Sequence, residues 1–457
     1  MKNSQPSTLL KKKYTYNILN SIKTEIEVTE NPYDLPIEEL FTMAARINKK
    51  RSFLFVSKVL GKHLPINPHK GLLTAALLGA RYIETVRETN CFETKKLLTA
   101  FRCEESYRIK AFIPEHMNPL VIGFAETATA LGHAFFDCFQ SAEYFHTTRE
   151  ELIQVSPEIT FEEEHSHATS HRCYIPLEMI QNEREIILVD DELTTGKTAL
   201  NIIESIHSNF PRRNYTIVSI LDWRSEENRN RFQQLEQELN IKINVVSLVT
   251  GTVQVGKIRE LENRTVVERN ESVTASIECI DLSPFFSLTP FSVNNSVNKS
   301  VFIKETGRFG LSSSENNCLH QNASAAASTL KQKRTGKRTL CLGTGEFMYL
   351  PMRLAAEMGS GVYYQSTTRS PIFIENKLGY GARYGSSFPN PEDLSITHFV
   401  YNIPPGFYDE IFIFLERKVE LENLQPFLKE LEILQIKLIR LVFFSENRGE
   451  QVENHKK

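Results

Sequence analysis

The chain has no paired-cysteine motif, no excess of basic charge and no apolar run of membrane-spanning length, and each absence removes a class of function. Its seven cysteines (91, 103, 138, 173, 279, 318 and 341) are scattered and form no CxxC pair. That usage excludes a structural zinc ribbon or a disulfide framework and suits a reducing compartment. With 53 basic against 56 acidic residues and a net charge of -3, nothing argues for a nucleic-acid or membrane-surface partner. Lys11-Lys12-Lys13 is not followed by the apolar stretch that a signal peptide needs. The expectation is a soluble, cytoplasmic protein, and 457 residues suffice for roughly two to four domains.

What is present is an alternation of apolar runs and amphipathic stretches. The turn "NPYDLP" (31 to 36) predicts a helix over 37–48, and Phe53 to Val56 reads as a strand. "KGLLTAALLGARYIETV" has helical spacing, "LVIG" (120 to 123) reads as a buried strand leading into a helix, and "AEYFHTTREEL" as another strand and turn. Residues 154–174 are polar, carry histidines and lack periodicity, which predicts a loop. "YTIVSILDW" and "INVVSLVTG" read as strands on either side of a charged helix over 225–239. Strands apolar on both faces, alternating with helices, predict an α/β fold with a mainly parallel sheet. "SLTPFSVNNSVNKS" (287 to 300) is poor in core formers and reads as a linker. The expected domains are a polar segment at 1–30, a first α/β domain at 31–286, the linker at 287–300, a smaller second α/β domain at 301–445 and a tail at 446–457.

The most informative stretch is "ILVDDELTTGKTALNII" (187 to 203), an apolar strand ending in two acids and running into hydroxyl residues around a glycine. Adjacent carboxylates repel each other, so Asp190 and Asp191 need something to hold. In an open α/β sheet this loop sits at the carboxyl end of the strands, where ligands bind. The N–H groups of Thr195 to Thr198 at a helix N-terminus make an anion site, with Thr194 and the other hydroxyls as added donors and Gly196 allowing close approach. A phosphate cradle beside paired acids suits a ribose 5-phosphate: the phosphate in the cradle, the sugar hydroxyls on the carboxylates. A P-loop has its glycine and lysine at a different spacing and no paired acids ahead of them.

On these residues the chain resembles the type I phosphoribosyltransferase family. "IILVDDELTTGKT" follows that family's pattern except at Glu192, where an apolar residue is usual; this places a third carboxylate beside the pair. The C-terminal "TTRSP" (367 to 371), preceded by "LGTGEFMYLPMRLA", resembles the TRSP domain that follows such a transferase domain in proteins of bacterial tellurite-resistance and stress gene clusters. "FLFVSKVLGKH", "EEHSH" and "GRFGL" add to the resemblance, which covers nearly the full length from about residue 31. It implies transfer of ribose 5-phosphate from phosphoribosyl pyrophosphate, with Mg²⁺, to or from an unidentified nitrogenous acceptor. Asp190 and Asp191 would be catalytic, holding the sugar directly or through Mg²⁺, and Thr194, Thr195, Gly196, Lys197 and Thr198 would hold the 5-phosphate. Pyrophosphate would lie on Ala125, Glu126, Thr127, Ala128 and Thr129. From the residues themselves, Lys58, Lys62 and His63 in "VSKVLGKHLP" are further candidates to meet phosphate charge, with a solvated role as the competing reading for lysines near a strand end. Glu164, His165 and His167 would belong to a lid that shields or protonates the leaving group. His165, His167 and His171 as a metal site is the competing reading of that loop.

A second reading from another class is a regulator that binds phosphoribosyl pyrophosphate as a signal; a third is a phosphorylase or hydrolase using the same site. The absence of a helix-turn-helix or basic stripe favours the enzyme. A homodimer is left open.

The sequence also matches itself. Aligned without a gap, Leu120, Gly123, Glu126, Tyr144, Thr147, Thr148 and Arg149 fall on Leu340, Gly343, Glu346, Tyr364, Thr367, Thr368 and Arg369. This predicts that the second domain is a diverged copy of the first. Leu415-Glu416 then stand where Asp190-Asp191 should, so only the first copy should hold a ribose phosphate. Glu346, Thr367, Thr368 and Arg369 are expected as a polar site of the second domain, with a structural ion pair as the other role for Arg369. "LGTGEF" as a methyltransferase loop is discounted, because the following strand offers Gln365 where an acid is needed.

Overall fold

The computed structural model describes residues 12–47, 52–104, 106–162, 170–258, 272–293 and 300–445. The chain begins with a hairpin, β1 (Lys12–Ile18) and β2 (Ile22–Glu30), followed by the short helix α1 (Ile37–Leu40). A second hairpin follows, β3 (Phe41–Ala45) with β4 (Phe53–Ser57), then the helices α2 (Pro68–Val86) and α3 (Thr94–Cys103). The first α/β unit runs β5 (Leu120–Gly123), α4 (Ala128–Phe136), β6 (Glu143–His146), a hairpin of β7 (Ile159–Glu162) and β8 (Ser170–Cys173), and α5 (Leu177–Ile180). It continues with β9 (Ile186–Leu193), α6 (Lys197–Asn209), β10 (Asn214–Asp222), α7 (Glu226–Leu239) and β11 (Lys242–Ile258). The second unit holds β12 (Ser276–Asp281), β13 (Leu311–Ser312), α8 (Ser313–Lys333), β14 (Thr339–Gly343), α9 (Tyr349–Glu357) and β15 (Val362–Ser366). A hairpin of β16 (Gly385–Asn390) and β17 (Asp393–Tyr401) then leads to β18 (Glu410–Leu415), α10 (Leu421–Ile433) and β19 (Leu438–Phe443).

Two sheets result, in the order β1-β2-β11-β10-β9-β5-β6-β13 and β12-β19-β18-β14-β15. The β11-β10-β9-β5-β6 part of the first is parallel, and so is the whole of the second. Ile186 to Val189 are fully buried, as a central strand covered on both faces requires. No described helix is long and apolar enough to cross a membrane.

The internal repeat is visible in the registers. Leu120 pairs with Glu143 and Ile186 as Leu340 pairs with Tyr363 and Ile411, and Ile186 pairs with Tyr215 as Ile411 pairs with Ile439. Both halves therefore read strand, helix, strand, hairpin, strand, helix, strand. Side-chain bonds repeat too: Thr147 Oγ1 accepts from the Ala125 N–H (2.9 Å) and meets His171 Nδ1 (2.8 Å), while Thr367 Oγ1 accepts from the Gly345 N–H (3.0 Å) and meets His398 Nδ1 (3.0 Å).

The halves share one hydrophobic core. Helices α2, α4, α8 and α9 pack between the sheets. Buried His133 of α4 bonds Asn316 of α8 at 2.9 Å and stacks on Tyr349 of α9 at 3.6 Å; burial lowers its pKa to about 4, so the ring is neutral. Each half also lends a loop to the other's edge strand. Gly61 and Ile66 bond β15, through Ser366 N–H to Gly61 O (2.7 Å) and Tyr364 N–H to Ile66 O (2.8 Å). Gly307 and Leu311 approach β6 in the same way, through His146 N–H to Gly307 O at 3.2 Å. Gly61 and Gly307 both have positive φ, and a Cβ on either would enter the ring of Tyr364 or Tyr144.

Several expectations are corrected. Residues 37–48 do not form one helix: after α1 the chain enters β3, because Phe41 and Phe55 pack against Trp223, at 5.8 and 5.4 Å between rings. Residues 12–30, expected as a polar segment ahead of the first domain, extend its sheet through β2 and β11. β12 lies in the second sheet although residues 31–286 were assigned to the first domain, and β13 crosses the other way. Within 287–300, the described residues pack rather than hang as a linker: Val293 joins a cluster with Leu152, Tyr174 and Phe302. Residues 294–299 and the tail at 446–457 lie outside the described residues.

Replacing Gly307 by Ala should cost about 1–2 kcal/mol for left-handed backbone and about 1–3 kcal/mol more for crowding Tyr144. Gly379→Ala, at φ +82 with nothing within 4 Å, should show only the first cost. Urea titration of both variants measures the difference; equal midpoints would show that the close approach to Tyr144 does not matter.

Candidate active site

β9 carries Asp190, Asp191 and Glu192 to the end of the first sheet, all half-buried, and Thr194 to Gly196 turn the chain into α6. Gly196 sits at φ 73, and a Cβ there would lie 2.5 Å from the Phe232 ring, so the turn needs glycine for both backbone and space. The Lys197 N–H donates to Thr195 Oγ1 at 3.3 Å. The helix that follows has 13 residues and turns its N-terminus, the positive end of its dipole, toward the cleft.

Opposite lies the loop between β5 and α4. The Ala125–Glu126 peptide bond is cis. Ala125, Glu126 and Thr127 face the acidic strand across a cleft of about 270 Å³, which Arg46, Lys62, Phe124, Arg149, residues 190–199 and Ser370 also line. Ala128 and Thr129, expected in the pyrophosphate loop, instead lie in the first turn of α4; the Thr129 hydroxyl bonds the Glu126 and Glu346 carbonyls. Lys62 reaches the cleft and donates to the Thr127 hydroxyl. Lys58 does not: its ammonium bonds the Glu38 carbonyl at 2.8 Å, away from the cleft. His63 is buried beside Tyr401, on the junction between the halves. Arg46 carries no sequence signal, and Arg149 and Ser370 belong to the two Thr-Thr-Arg stretches without being assigned to this cleft; pairing in space brings all three to it. A larger cleft of about 630 Å³, lined from both halves, carries none of the expected residues, so chemistry rather than size picks the site.

Glu164, His165 and His167 lie outside the described residues. His171 is buried, bonded to Thr147 and stacked on Phe161 at 5.0 Å, a packed position inside the β7–β8 hairpin. The described residues contain no cluster of three or more potential metal ligands.

Electrostatics mark the same place. Burial, the Asp191 charge and Glu192 push the Asp190 carboxyl well above its ordinary range. Glu126 Oε1 is buried with no partner. Carboxylates crowded at a cleft fit a hard divalent cation, which binds through one or two protein oxygens and completes its shell with ligand oxygens.

In the second half the equivalent place is closed. Leu415, Glu416 and Arg417 take the register positions of Asp190, Asp191 and Glu192. Arg308 bonds both Glu416 oxygens at 2.9 and 3.0 Å and lies 3.6 Å from Glu346; burial alone would lower its pKa, but these acids hold it above the usual value. Arg308 and Arg417 lie over the Phe302 ring at 4.2 and 4.3 Å. The remaining space is about 20 Å³, room for about one water. The expected second-domain residues lie at the junction. Glu346 accepts from the Thr148 hydroxyl (2.5 Å) and the Arg149 N–H (2.8 Å), Thr367 supports the Gly345 turn, and Arg369 pairs with Glu150 at 3.2 Å. Gln365 is buried and donates to the Tyr401 carbonyl at 2.9 Å.

An acidic strand end leads into a helix N-terminus and faces a second loop across one cleft at the end of a parallel sheet, the place where open α/β sheets bind ligands. Sequence comparison gives the class: residues 40–252 match the phosphoribosyl transferase family, and residues 305–431 match the TRSP domain C-terminal to it. The chain belongs to the phosphoribosyltransferases that carry a C-terminal TRSP domain. A comparison with curated proteins gives no match. Among solved structures it is similar to adenine phosphoribosyl transferase from Trypanosoma brucei in complex with AMP, pyrophosphate and ribose-5-phosphate (10% identity, 51% of this chain and 86% of that one, TM-score 0.29). It is also similar to orotate phosphoribosyltransferase from Aeropyrum pernix (13% identity, 47% and 89%, TM-score 0.26).

The raised Asp190 pKa has a consequence for stability. A carboxyl that holds its proton more tightly when folded contributes stability that is complete below its unfolded value, about 3.9. That contribution is lost as pH rises through the raised value. Asp190→Asn should therefore melt about 2–4 °C above the wild type at pH 8, with the gap closing toward pH 4. Scanning calorimetry across that range checks it; a variant that melts lower at pH 8 would contradict the repulsion.

Proposed function

We propose that the first half is a transferase that takes ribose 5-phosphate from phosphoribosyl pyrophosphate and passes it to, or removes it from, a nitrogenous acceptor. The observation that carries this reading is the acidic pair of β9 and the α6 N-terminus facing the Ala125–Thr127 loop across one cleft. The cradle from Thr194 to Thr198 would take the 5-phosphate, Asp190 and Asp191 the ribose hydroxyls, and Ala125 to Thr127 with Lys62 the pyrophosphate. Breaking the bond from C1 to pyrophosphate builds positive charge on the sugar and negative charge on the leaving group. The chain's task is to fix both ends and keep fixed dipoles against each. Glu192 adds a third carboxylate on the side where positive charge develops, and Lys62 lies where negative charge collects, while the α6 terminus anchors the 5-phosphate, whose charge does not change.

Mg²⁺ would be held by Asp190 or Asp191, with Glu126 as a further oxygen donor, and would supply charge neutralisation of the pyrophosphate. Glu164, His165 and His167 remain the proposed lid groups. The setting proposed is cytoplasmic, in a biosynthetic step of the stress and tellurite-resistance gene clusters that the sequence resemblance implies.

Titration calorimetry with phosphoribosyl pyrophosphate and Mg²⁺ should show one site per chain. Asp190→Asn with Asp191→Asn should abolish the signal while circular dichroism stays native, since two hydrogen bonds to charged acceptors are worth roughly 1.5–3 kcal/mol each. Unchanged affinity in the folded double variant would refute the ribose assignment. Turnover of labelled phosphoribosyl pyrophosphate in cell extract separates an enzyme from a binding regulator.

A further inference from the structure

The two halves exchange contacts through equivalent loops. After β6, Thr148 and the Arg149 N–H bind Glu346, and Glu150 lines the closed cleft of the second half. After β15, the Thr368 hydroxyl (3.4 Å) and the Arg369 N–H (3.5 Å) approach Glu126 Oε2, and Ser370 lines the open cleft of the first half. The residues at these matched positions differ in a consistent direction. The closed cleft receives a carboxylate, Glu150, held by Arg369 at 3.2 Å, and its Arg308 is bonded to Glu416 and lies beside Glu346. The open cleft receives a neutral hydroxyl, and Lys62, at the position that matches Arg308, bonds the Thr127 hydroxyl rather than a carboxylate.

Ser370 is also held in place. Its N–H donates to Thr368 Oγ1 at 3.2 Å and its carbonyl accepts from Tyr401 OH at 2.8 Å. Its own hydroxyl makes no hydrogen bond among the described residues. The loop lies against Glu126, on the pyrophosphate side of the cleft rather than beside the 5-phosphate cradle.

We propose that the C-terminal domain completes the single cleft of the chain: Ser370 donates its hydroxyl to the pyrophosphate moiety of the substrate. This rests on the phosphoribosyl reading above. The second half then acts as a built-in partner, silent at its own closed site and contributing a substrate contact to the other.

The test compares two ligands on the full chain, phosphoribosyl pyrophosphate with Mg²⁺ and ribose 5-phosphate, which lacks the pyrophosphate. Ser370→Ala should weaken the first about tenfold to a hundredfold, the range for losing one hydrogen bond to a charged group, and leave the second unchanged. Ser370→Glu, which installs the residue type of the closed half, should abolish the first and leave the second within about threefold, because the new charge lies away from the cradle. Equal weakening of both ligands would make the loop merely structural, and no weakening of either would remove Ser370 from the site; each overturns the proposal. A wild-type chain that binds ribose 5-phosphate and phosphoribosyl pyrophosphate while Ser370→Ala matches it refutes this inference alone. A wild type that binds neither refutes the phosphoribosyl reading and this inference together.

Discussion

Two buried carboxylates, Glu126 and Glu346, tie the molecule together. Each stands at the start of the loop after a central strand, and each turns toward the Thr-Thr-Arg loop of the opposite half. A buried carboxylate without partners would be costly, so the halves cannot separate without exposing or orphaning these groups. The shared helical layer and the two lent loops, Gly61 to Ile66 and Gly307 to Leu311, act in the same direction. The arrangement has the reciprocity of a symmetric dimer, in which one patch on each side serves the other. Here a single chain supplies both sides, so the two patches are free to diverge.

They have diverged in charge. The closed half keeps its fold but fills the ligand space with guanidinium groups. Arg308 neutralises Glu416 and Glu346, and Arg417 also lies over Phe302, reaching Glu392 at 3.1 Å. Its Glu346 makes short bonds to Thr148 and Arg149, whereas Glu126 makes long ones and keeps an oxygen unpaired. The open half thus carries unsettled charge, visible in Asp190 as well. Crowded carboxylates of this kind cost stability, as sites kept open for a ligand commonly do.

The strand-loop-helix units were legible because their signals are local. Four apolar residues, two acids and a hydroxyl-glycine turn define β9 and α6 without reference to anything distant, and the repeat emerged from in-register glycine, glutamate and Thr-Thr-Arg positions. Leu415-Glu416 was correctly aligned with the acidic pair by sequence, and the strand registers agree. Segments whose structure depends on pairing were not legible. The helix expected over 37–48 became a hairpin when Phe41 met Trp223, and residues 12–30 became sheet only because β11 offers them an edge.

The sequence by itself determined the family, the α/β alternation, the acidic strand-loop-helix motif and the existence of a degenerate second copy. These are written in spacing along the chain, where the periodicities of strand and helix and the chemistry of neighbouring side chains act over a few residues. The tertiary structure alone decided which residues meet across the junction. It separated Lys62, which enters the cleft, from Lys58, which bonds the Glu38 carbonyl. It brought Arg46, Arg149 and Ser370 to the same wall. Such contacts join positions more than two hundred residues apart, as in Glu126 with Arg369, and burial in a shared core, not local preference, selects them.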